Sequence, residues 1–194
     1  QGWNFGREQT FFGGNINGWG QFNNYWNMWV DLDWGLSGLS SSALRGGPSL
    51  KTNGNQGLYM GINSDERRDL RFSVNGGHNR NRGNKNRSTN VNFSARFRPT
   101  NAMDLRVSPF YNKNRNEAQY VTTKSYLSSD RYLMGQIDQK TFGITFRMSY
   151  SLTPNLSFQY YAQPFVSAGK YSNFKRVTDA RADKFADRFD TFSG

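Results

Sequence analysis

The sequence contains no cysteine, a single histidine and no long apolar run. Without cysteine, neither a disulfide bond nor a thiolate metal site can form. No stretch approaches the about 18 consecutive apolar residues of a transmembrane helix, which excludes a helical membrane protein. The single histidine, His78, has no further ligand at a suitable spacing, so we expect it to have a structural role.

Apolar residues are scarce in general, whereas aromatic residues are not. Only 35% of the 194 residues are hydrophobic and the mean hydropathy is −0.83, values typical of a very polar or disordered chain. Yet 16% of the residues are aromatic, and disordered chains are poor in aromatics. A membrane β-barrel combines both properties, because alternate strand residues face lipid while the lumen and loops remain polar.

An alternating pattern of apolar residues runs through the segment 141–166. The apolar positions are Phe142, Ile144, Phe146, Met148, Tyr150 and Leu152 and, after a turn at 153–155, Leu156, Phe158, Tyr160, Ala162, Pro164 and Val166. A period of two predicts a strand with one apolar and one polar face. The rows are as long as the about 9–11 residues of a transmembrane β-strand. We therefore interpret the segment as a hairpin of an outer-membrane β-barrel.

The same period recurs along the chain and predicts an all-β fold, an antiparallel transmembrane β-barrel with about eight strands of a larger barrel. The connections alternate in length, as periplasmic turns and external loops do in bacterial outer-membrane barrels. Short connections are predicted at Asn23, Ser64, Pro99 and Pro154, and longer ones at Ser37, Asn79, near Lys124 and after Lys170. We treat residues 1–194 as a single domain and residues 170–194 as a polar extracellular loop or tail.

The alternation also assigns side chains to two faces. The residues predicted to face lipid are Trp26, Met28, Val30, Leu32, Val91, Phe93, Phe142, Ile144, Phe146, Met148, Leu156, Phe158 and Tyr160. The charged residues predicted to face the lumen are Asp31, Asp33, Arg71, Arg96, Asp104, Arg106 and Arg147. They must point inward, because a charge facing lipid near the midplane costs about 2–4 kcal/mol. Aromatic residues near strand ends are predicted to lie at the membrane interface, namely Trp19, Tyr25, Trp26, Trp34 and Tyr150.

The charged residues leave two interpretations open. An electropositive lumen would select anions or guide a polar solute, whereas Asp–Arg pairs and hydrogen bonds would simply fill it. The net charge of +11 is likewise explained either by basic loops or by attraction to an anionic partner such as lipopolysaccharide phosphates.

Enzymatic and nucleic-acid functions receive little support. Asp31 and Asp33 share a face and would be candidates for a glycosidase pair, but no sugar platform accompanies them. The basic run 80–87 lacks the interleaved aromatics of a nucleic-acid site. We expect no catalytic residue, no cofactor, no metal site and no nucleic-acid partner. The alternatives are an outer-membrane enzyme that hydrolyses a glycan or lipid, and a soluble β-rich binding module with an aromatic core.

Three segments together carry a resemblance to a known family: ALRGGP at 43–48, SPFYNKNRNEAQYV at 108–121, and the long segment 138–175. They resemble the outer-membrane barrel domain of domain-of-unknown-function family 5916, in which a domain similar to family-nine carbohydrate-binding modules precedes the barrel. The resemblance implies a Gram-negative outer-membrane protein with a transport or scaffold role, possible links to carbohydrate handling, and further strands. The implied partners are outer-membrane lipids, lipopolysaccharide, the remaining strands or other envelope proteins, and the barrel-assembly machinery. We therefore expect an internal portion of a larger barrel.

Overall fold

The computed structural model describes residues 1–192, and most of its regular structure is β-strand. The strands are β1 (Gly2–Trp3), β2 (Gln9–Phe11), β3 (Gly13–Gln21), β4 (Asn27–Gly35), β5 (Gly38–Ser40), β6 (Leu50–Thr52), β7 (Asn55–Asn63), β8 (Leu70–Asn81), β9 (Arg87–Thr100), β10 (Met103–Tyr126), β11 (Ser129–Thr153), β12 (Leu156–Ala162), β13 (Phe165–Val177) and β14 (Phe189–Thr191). A single 3-10 turn spans Ala186–Arg188. Within residues 1–192, no helix has the length and apolar character needed to cross a membrane.

Ten of the strands form one antiparallel sheet, in the order β14-β13-β11-β10-β9-β8-β7-β4-β3, with β12 also paired to β11. β12 and β13 follow each other along the same edge of β11, since Phe146 pairs with Ala162 and Gly143 with Phe165. The interruption falls at Pro164, which cannot donate a ladder hydrogen bond. The all-β antiparallel prediction is confirmed. When β12 and β13 are taken as one strand and the short β14 is set aside, eight long strands remain.

The sheet does not close within the described residues. β3 has a free edge at one end of the sheet, and β12 with most of β13 has a free edge at the other. The structure therefore has the predicted class and strand number but contains no closed barrel.

The connections differ in length between the two ends of the sheet. At the short-turn end they comprise residues 22–26, 64–69, 101–102 and 154–155; at the long-connection end they include 36–54, 82–86 and 178–188. The prediction of a long loop near Lys124 is wrong, because β10 and β11 continue as a projecting ribbon that turns at Leu127 and Ser128. Both turn residues have positive φ, 49° and 62°.

The predicted loop or tail at 170–194 also needs correction. Its first residues continue β13, which runs to Val177, and its last part includes β14. Residues 193–194 lie outside the described residues. The sequence shows no clear alternation of apolar and polar residues after Lys170, so the strand could not be recognised there. In the structure these residues nevertheless pair with β11.

Two short turns are joined by an arginine. The Arg67 side chain donates hydrogen bonds to both oxygens of Asp65 at 2.9 Å, and its guanidinium lies 3.3 Å from the ring centroid of Tyr25 in the neighbouring turn. The hydrogen bond from Arg67 lowers the pKa of Asp65 to about 2. Asp65 therefore remains ionised at neutral pH and keeps its hydrogen bonds to Arg67. Arg67 in turn contacts Tyr25, so the two turns are held together at this end.

The long-connection end carries a cap, which we define as residues 36–54 together with 178–192. The Lys51 N–H donates to the Ala180 carbonyl at 2.8 Å, and the buried Arg188 donates to the Lys51 carbonyl at 2.7 Å and to Asn53 Oδ1 at 2.6 Å. Since these two segments follow β4 and β13, which lie near opposite ends of the sheet order, the contacts draw the two ends of the sheet together.

A small buried core lies between the cap and β11. Within residues 1–192 the buried apolar side chains are Leu44, Leu50 and Met134, with exposed fractions of 0%, 6% and 1%. Leu44 belongs to the ALRGGP segment and Met134 to β11. The apolar core therefore lies where the cap meets one end of β11 and does not extend along the sheet.

Replacement of Arg188 by alanine should loosen the cap. The guanidinium also donates to the carbonyls of Ala182 and Asp183, both at 2.8 Å, so its loss leaves four part-buried acceptors without this donor. We expect the free energy needed to open the cap locally to fall by about 2–3 kcal/mol. Hydrogen exchange at residues 178–190 should accelerate accordingly. Arg181→Ala, which removes an exposed ion pair with Glu8, is the control and should leave exchange nearly unchanged.

Candidate functional site

The register of the sheet brings the apolar positions of neighbouring strands side by side. One row crosses all eight long strands: Gly18, Val30, Met60, Gly76, Val91, Tyr111, Phe142 and Val166. We call the side of the sheet that carries this row the apolar face, and the opposite side the polar face. A register error of one residue would mix the two sets.

The residues predicted to face lipid lie on the apolar face, and Trp26 stands just before β4 with the same parity. Most of their side chains are exposed, for example 47% for Val91, 37% for Ile144 and 49% for Phe158. Phe146 and Met148 are half-buried, and the Phe146 ring lies 5.8 Å from that of Tyr160. The face is thus a continuous exposed apolar surface, much larger than the scattered apolar residues normal for a soluble protein.

The charged residues predicted to face the lumen all lie on the polar face. Four of them are direct cross-strand neighbours, because Arg71 pairs with Arg96, Arg96 with Arg106, and Arg106 with Arg147. We call these four side chains the arginine row. Like charges directly opposite each other destabilise a sheet, so the row calls for nearby negative charge.

Negative charge is available to one member of the row. The Arg96 Nε donates to both oxygens of Asp104 at 2.9 Å. Arg71 instead donates to the Arg68 carbonyl at 2.8 Å, and Arg147 lies 5.0 Å from the Tyr161 ring centroid. Among the described residues, no carboxylate oxygen lies within 4.0 Å of Arg71, Arg106 or Arg147. The row therefore carries more positive charge than its surroundings neutralise.

The remaining aspartates of the polar face bind amides rather than arginines. Asp31 accepts a hydrogen bond from Asn15 at 2.9 Å, and Asp33 accepts one from Asn55 at 3.1 Å. The polar face thus contains both contacts of the filled-lumen interpretation, an Asp–Arg pair at Asp104 and hydrogen bonds at Asp31 and Asp33. Because Asp31 and Asp33 contact asparagines and, among the described residues, no arginine, they do not neutralise the positive charge of the arginine row.

A cavity of about 450 Å³ lies against the arginine row. Arg71, Arg96 and Arg106 line it together with asparagine and serine side chains of β7 to β10, and Glu66 stands at its edge. Guanidinium, amide and hydroxyl groups are all hydrogen-bond donors, and guanidinium binds carboxylate or phosphate in a bidentate manner. The cavity can therefore bind a small anion.

Three aromatic residues of the polar face each lie opposite a glycine. The pairs are Trp29 with Gly61, Tyr59 with Gly77, and Phe110 with Gly143. A Cβ on Gly61 would lie 2.5 Å from Trp29 Nε1, and one on Gly143 would lie 2.5 Å from Phe110 Cζ. The rings thus occupy the space that a side chain would need, which holds them close to the backbone.

Trp19 departs from its predicted position at the membrane interface. It pairs with Trp29 and so lies on the polar face, with 82% of its side chain exposed. Trp34 and Tyr150 lie on the apolar face as predicted, near the ends of their strands. The error arises because β3 has few apolar residues, so its parity is hard to read.

The single histidine contacts a neighbouring strand through its side chain. His78 Nδ1 lies 2.8 Å from Thr89 Oγ1, and both residues are on the apolar-face side. Within residues 1–192, no group of three or more His, Cys, Asp or Glu side chains is arranged to hold a metal ion.

A known protein family matches almost the whole of this chain. A family model described as "Domain of unknown function (DUF5916)" matches residues 7–188. The chain belongs to the DUF5916 family. The match to DUF5916 extends from β2 through β13 and the 3-10 turn, so it covers both faces of the sheet and most of the cap. No curated protein and no solved structure matches the chain.

Addition of a methyl group at Gly61 should displace the Trp29 ring and lower stability. We expect Gly61→Ala to reduce the free energy of unfolding by about 1–3 kcal/mol, as overpacking commonly does. Gly18→Ala is the matched control, because its Cβ would meet no atom within 4 Å. Urea unfolding followed by tryptophan fluorescence compares the two, and equal midpoints would contradict the close contact.

Proposed function

We propose that this DUF5916 chain is part of a β-barrel in the bacterial outer membrane, with its apolar face against lipid and its polar face toward a lumen. The observation that carries the proposal is the apolar row that crosses all eight long strands and stays exposed. A water-soluble sheet of this size would bury such a face, whereas the buried apolar core here is confined to the contact between the cap and one end of β11.

The height of the apolar face fits a membrane. Phe142 and Leu152 bound the apolar positions of β11, about ten residue steps apart. At about 3.4 Å per residue and a tilt of about 40°, these steps correspond to about 26 Å. Outer-membrane barrels have an apolar band about 25 Å tall, so the two dimensions agree.

The two ends of the sheet support one orientation. Short turns face the periplasm in outer-membrane barrels, and long connections face outward. The cap and the ribbon of β10 and β11 therefore lie outside the cell in this proposal, and the turns at 64–69 and 154–155 lie in the periplasm.

Further strands complete the barrel in this proposal. Unpaired backbone groups cost several kcal/mol in lipid, so the free edges of β3 and β12 need partners there. We propose that these partners are remaining strands of the same barrel or other envelope proteins, inserted with the help of the barrel-assembly machinery.

We propose a transport role for an anionic solute rather than catalysis. The arginine row and its cavity support this role, because their donors are incompletely neutralised and lie on the polar face. A link to carbohydrate handling, or a purely scaffolding role, rests on the family resemblance.

Placing a charge on the apolar face should prevent insertion. Phe146→Arg puts an arginine against lipid near the middle of β11, at a cost of about 2–4 kcal/mol. We expect the variant to be lost from the membrane fraction and from the heat-modifiable species on gels.

Thr145→Arg is the matched control for this experiment. It adds the same charge one residue away, on the polar face, where Ser108 is its cross-strand neighbour. We expect it to insert normally. Equal insertion of the two variants would show that the faces are assigned wrongly, and recovery of the wild type as a water-soluble protein would favour the soluble binding module.

Charge changes in the arginine row should alter ion selectivity in opposite directions. Asp104→Asn removes the carboxylate beside Arg96, so the permeability ratio of chloride to potassium should rise. Arg106→Gln removes a guanidinium, so the ratio should fall. Reversal potentials of the protein in planar bilayers under a salt gradient measure both ratios. Shifts of the same sign in both variants would contradict an anion-selective polar face.

A further inference from the structure

The apolar face changes character toward the long-connection end. Two residues beyond the apolar row, His78, Thr89, Lys113 and Lys140 stand side by side on β8 to β11. Two residues farther on, the neighbours are Arg80, Arg87, Arg115, Asp138 and Lys170. We call the cations of these two rows the basic belt: Arg80, Arg87, Lys113, Arg115, Lys140 and Lys170. The belt lies on the apolar face of the sheet, between the apolar row and the long-connection end.

The basic belt lacks sufficient negative charge of its own. Asp138 is the carboxylate within its rows, and its oxygen lies 3.8 Å from Arg115 Nη1. Arg80, Arg87 and Arg115 are direct cross-strand neighbours, an arrangement that is unfavourable without a counter-ion. The Nε of Arg115 is buried and has no hydrogen-bond partner among residues 1–192. The belt therefore carries positive charge that its own carboxylate does not neutralise.

A line of cavities follows the basic belt. One of about 530 Å³ lies between Arg80, Arg87 and Arg115. A second of about 180 Å³ lies between Arg87, Lys113 and Arg115, and a third of about 320 Å³ lies between Lys113, Lys140 and Lys170. Since neighbouring cavities share belt residues, they form a groove that can receive several phosphate groups along the surface.

We propose that the basic belt binds the phosphate groups of an anionic lipid headgroup in the outer leaflet, the chemistry that lipopolysaccharide carries. The inference rests on the proposed function, because membrane insertion places the belt at headgroup height. Acyl chains would cover the apolar row, and the attached phosphates would then meet guanidinium and ammonium groups two to four residues higher. A lipid is favoured over free phosphate because the belt continues the apolar face rather than the polar face.

The experiment measures lipid retained by the full protein after insertion into vesicles. Phosphatidylcholine vesicles contain either bisphosphorylated lipid A or its dephosphorylated form, and native mass spectrometry counts the lipid A molecules bound after detergent extraction. The test variant replaces Arg80, Arg87, Lys113 and Lys140 by glutamine and leaves Arg115, which donates to Gln136, in place. We expect wild type to prefer the bisphosphorylated lipid and the variant to lose about tenfold or more of it.

The matched control removes two cations from the tip of the ribbon. Lys124→Gln with Arg131→Gln changes a cross-strand pair that lies beyond the belt, and this variant should retain the lipid as wild type does. Equal retention by the belt variant, or equal binding of both lipid A forms by wild type, would overturn the inference. If the protein in zwitterionic vesicles bound inorganic phosphate as tightly as lipid A, the proposal that the ligand is a lipid headgroup would be wrong.

Insertion is measured on the same samples by heat-modifiability on gels. If wild type fails to insert, the proposed function fails. If wild type inserts but shows no preference for the phosphorylated lipid, the proposed function stands and the inference about the basic belt is wrong.

Discussion

The register of the backbone hydrogen bonds is the constraint on which the rest of this structure depends. Along the sheet from β3 to β13, neighbouring long strands pair so that apolar residues meet apolar residues and polar residues meet polar ones. Because side chains alternate with a period of two, a one-residue slip in any strand would move its apolar side chains to the polar face and its polar side chains to the apolar face. The two faces, and therefore both proposed surfaces, exist only while the register is kept.

Part of the positive charge of the chain is ordered in two rows on the sheet. One set of arginines crosses the polar face nearer the short turns, and the basic belt crosses the apolar face at the opposite end. The two sets lie on different sides of one sheet and suit different anions, a solute in the first case and a lipid headgroup in the second. Of the 25 lysine and arginine residues of the chain, ten belong to these two sets.

The cap joins segments that follow strands near opposite ends of the open sheet. Backbone and Arg188 hydrogen bonds join the segments after β4 and β13, while Leu44, Leu50 and Met134 exclude water beneath them. The hydrogen bonds from Lys51 to Ala180 and from Arg188 to Lys51 join residues more than a hundred positions apart in the chain. They hold the long-connection end together while the edges of β3 and β12 remain available for pairing.

By itself, the sequence determined the strands and their faces, since the alternation around Val30 and Ile144 is a local property with a period of two. It failed where that signal is weak, as at Trp19 in the glycine-rich β3, and where strands continue in polar residues, as near Lys124. Only the tertiary structure decided that Arg71, Arg96 and their neighbours form one row, because adjacency depends on register between strands. The cap likewise required the fold, as its contacts join residues that no local pattern links.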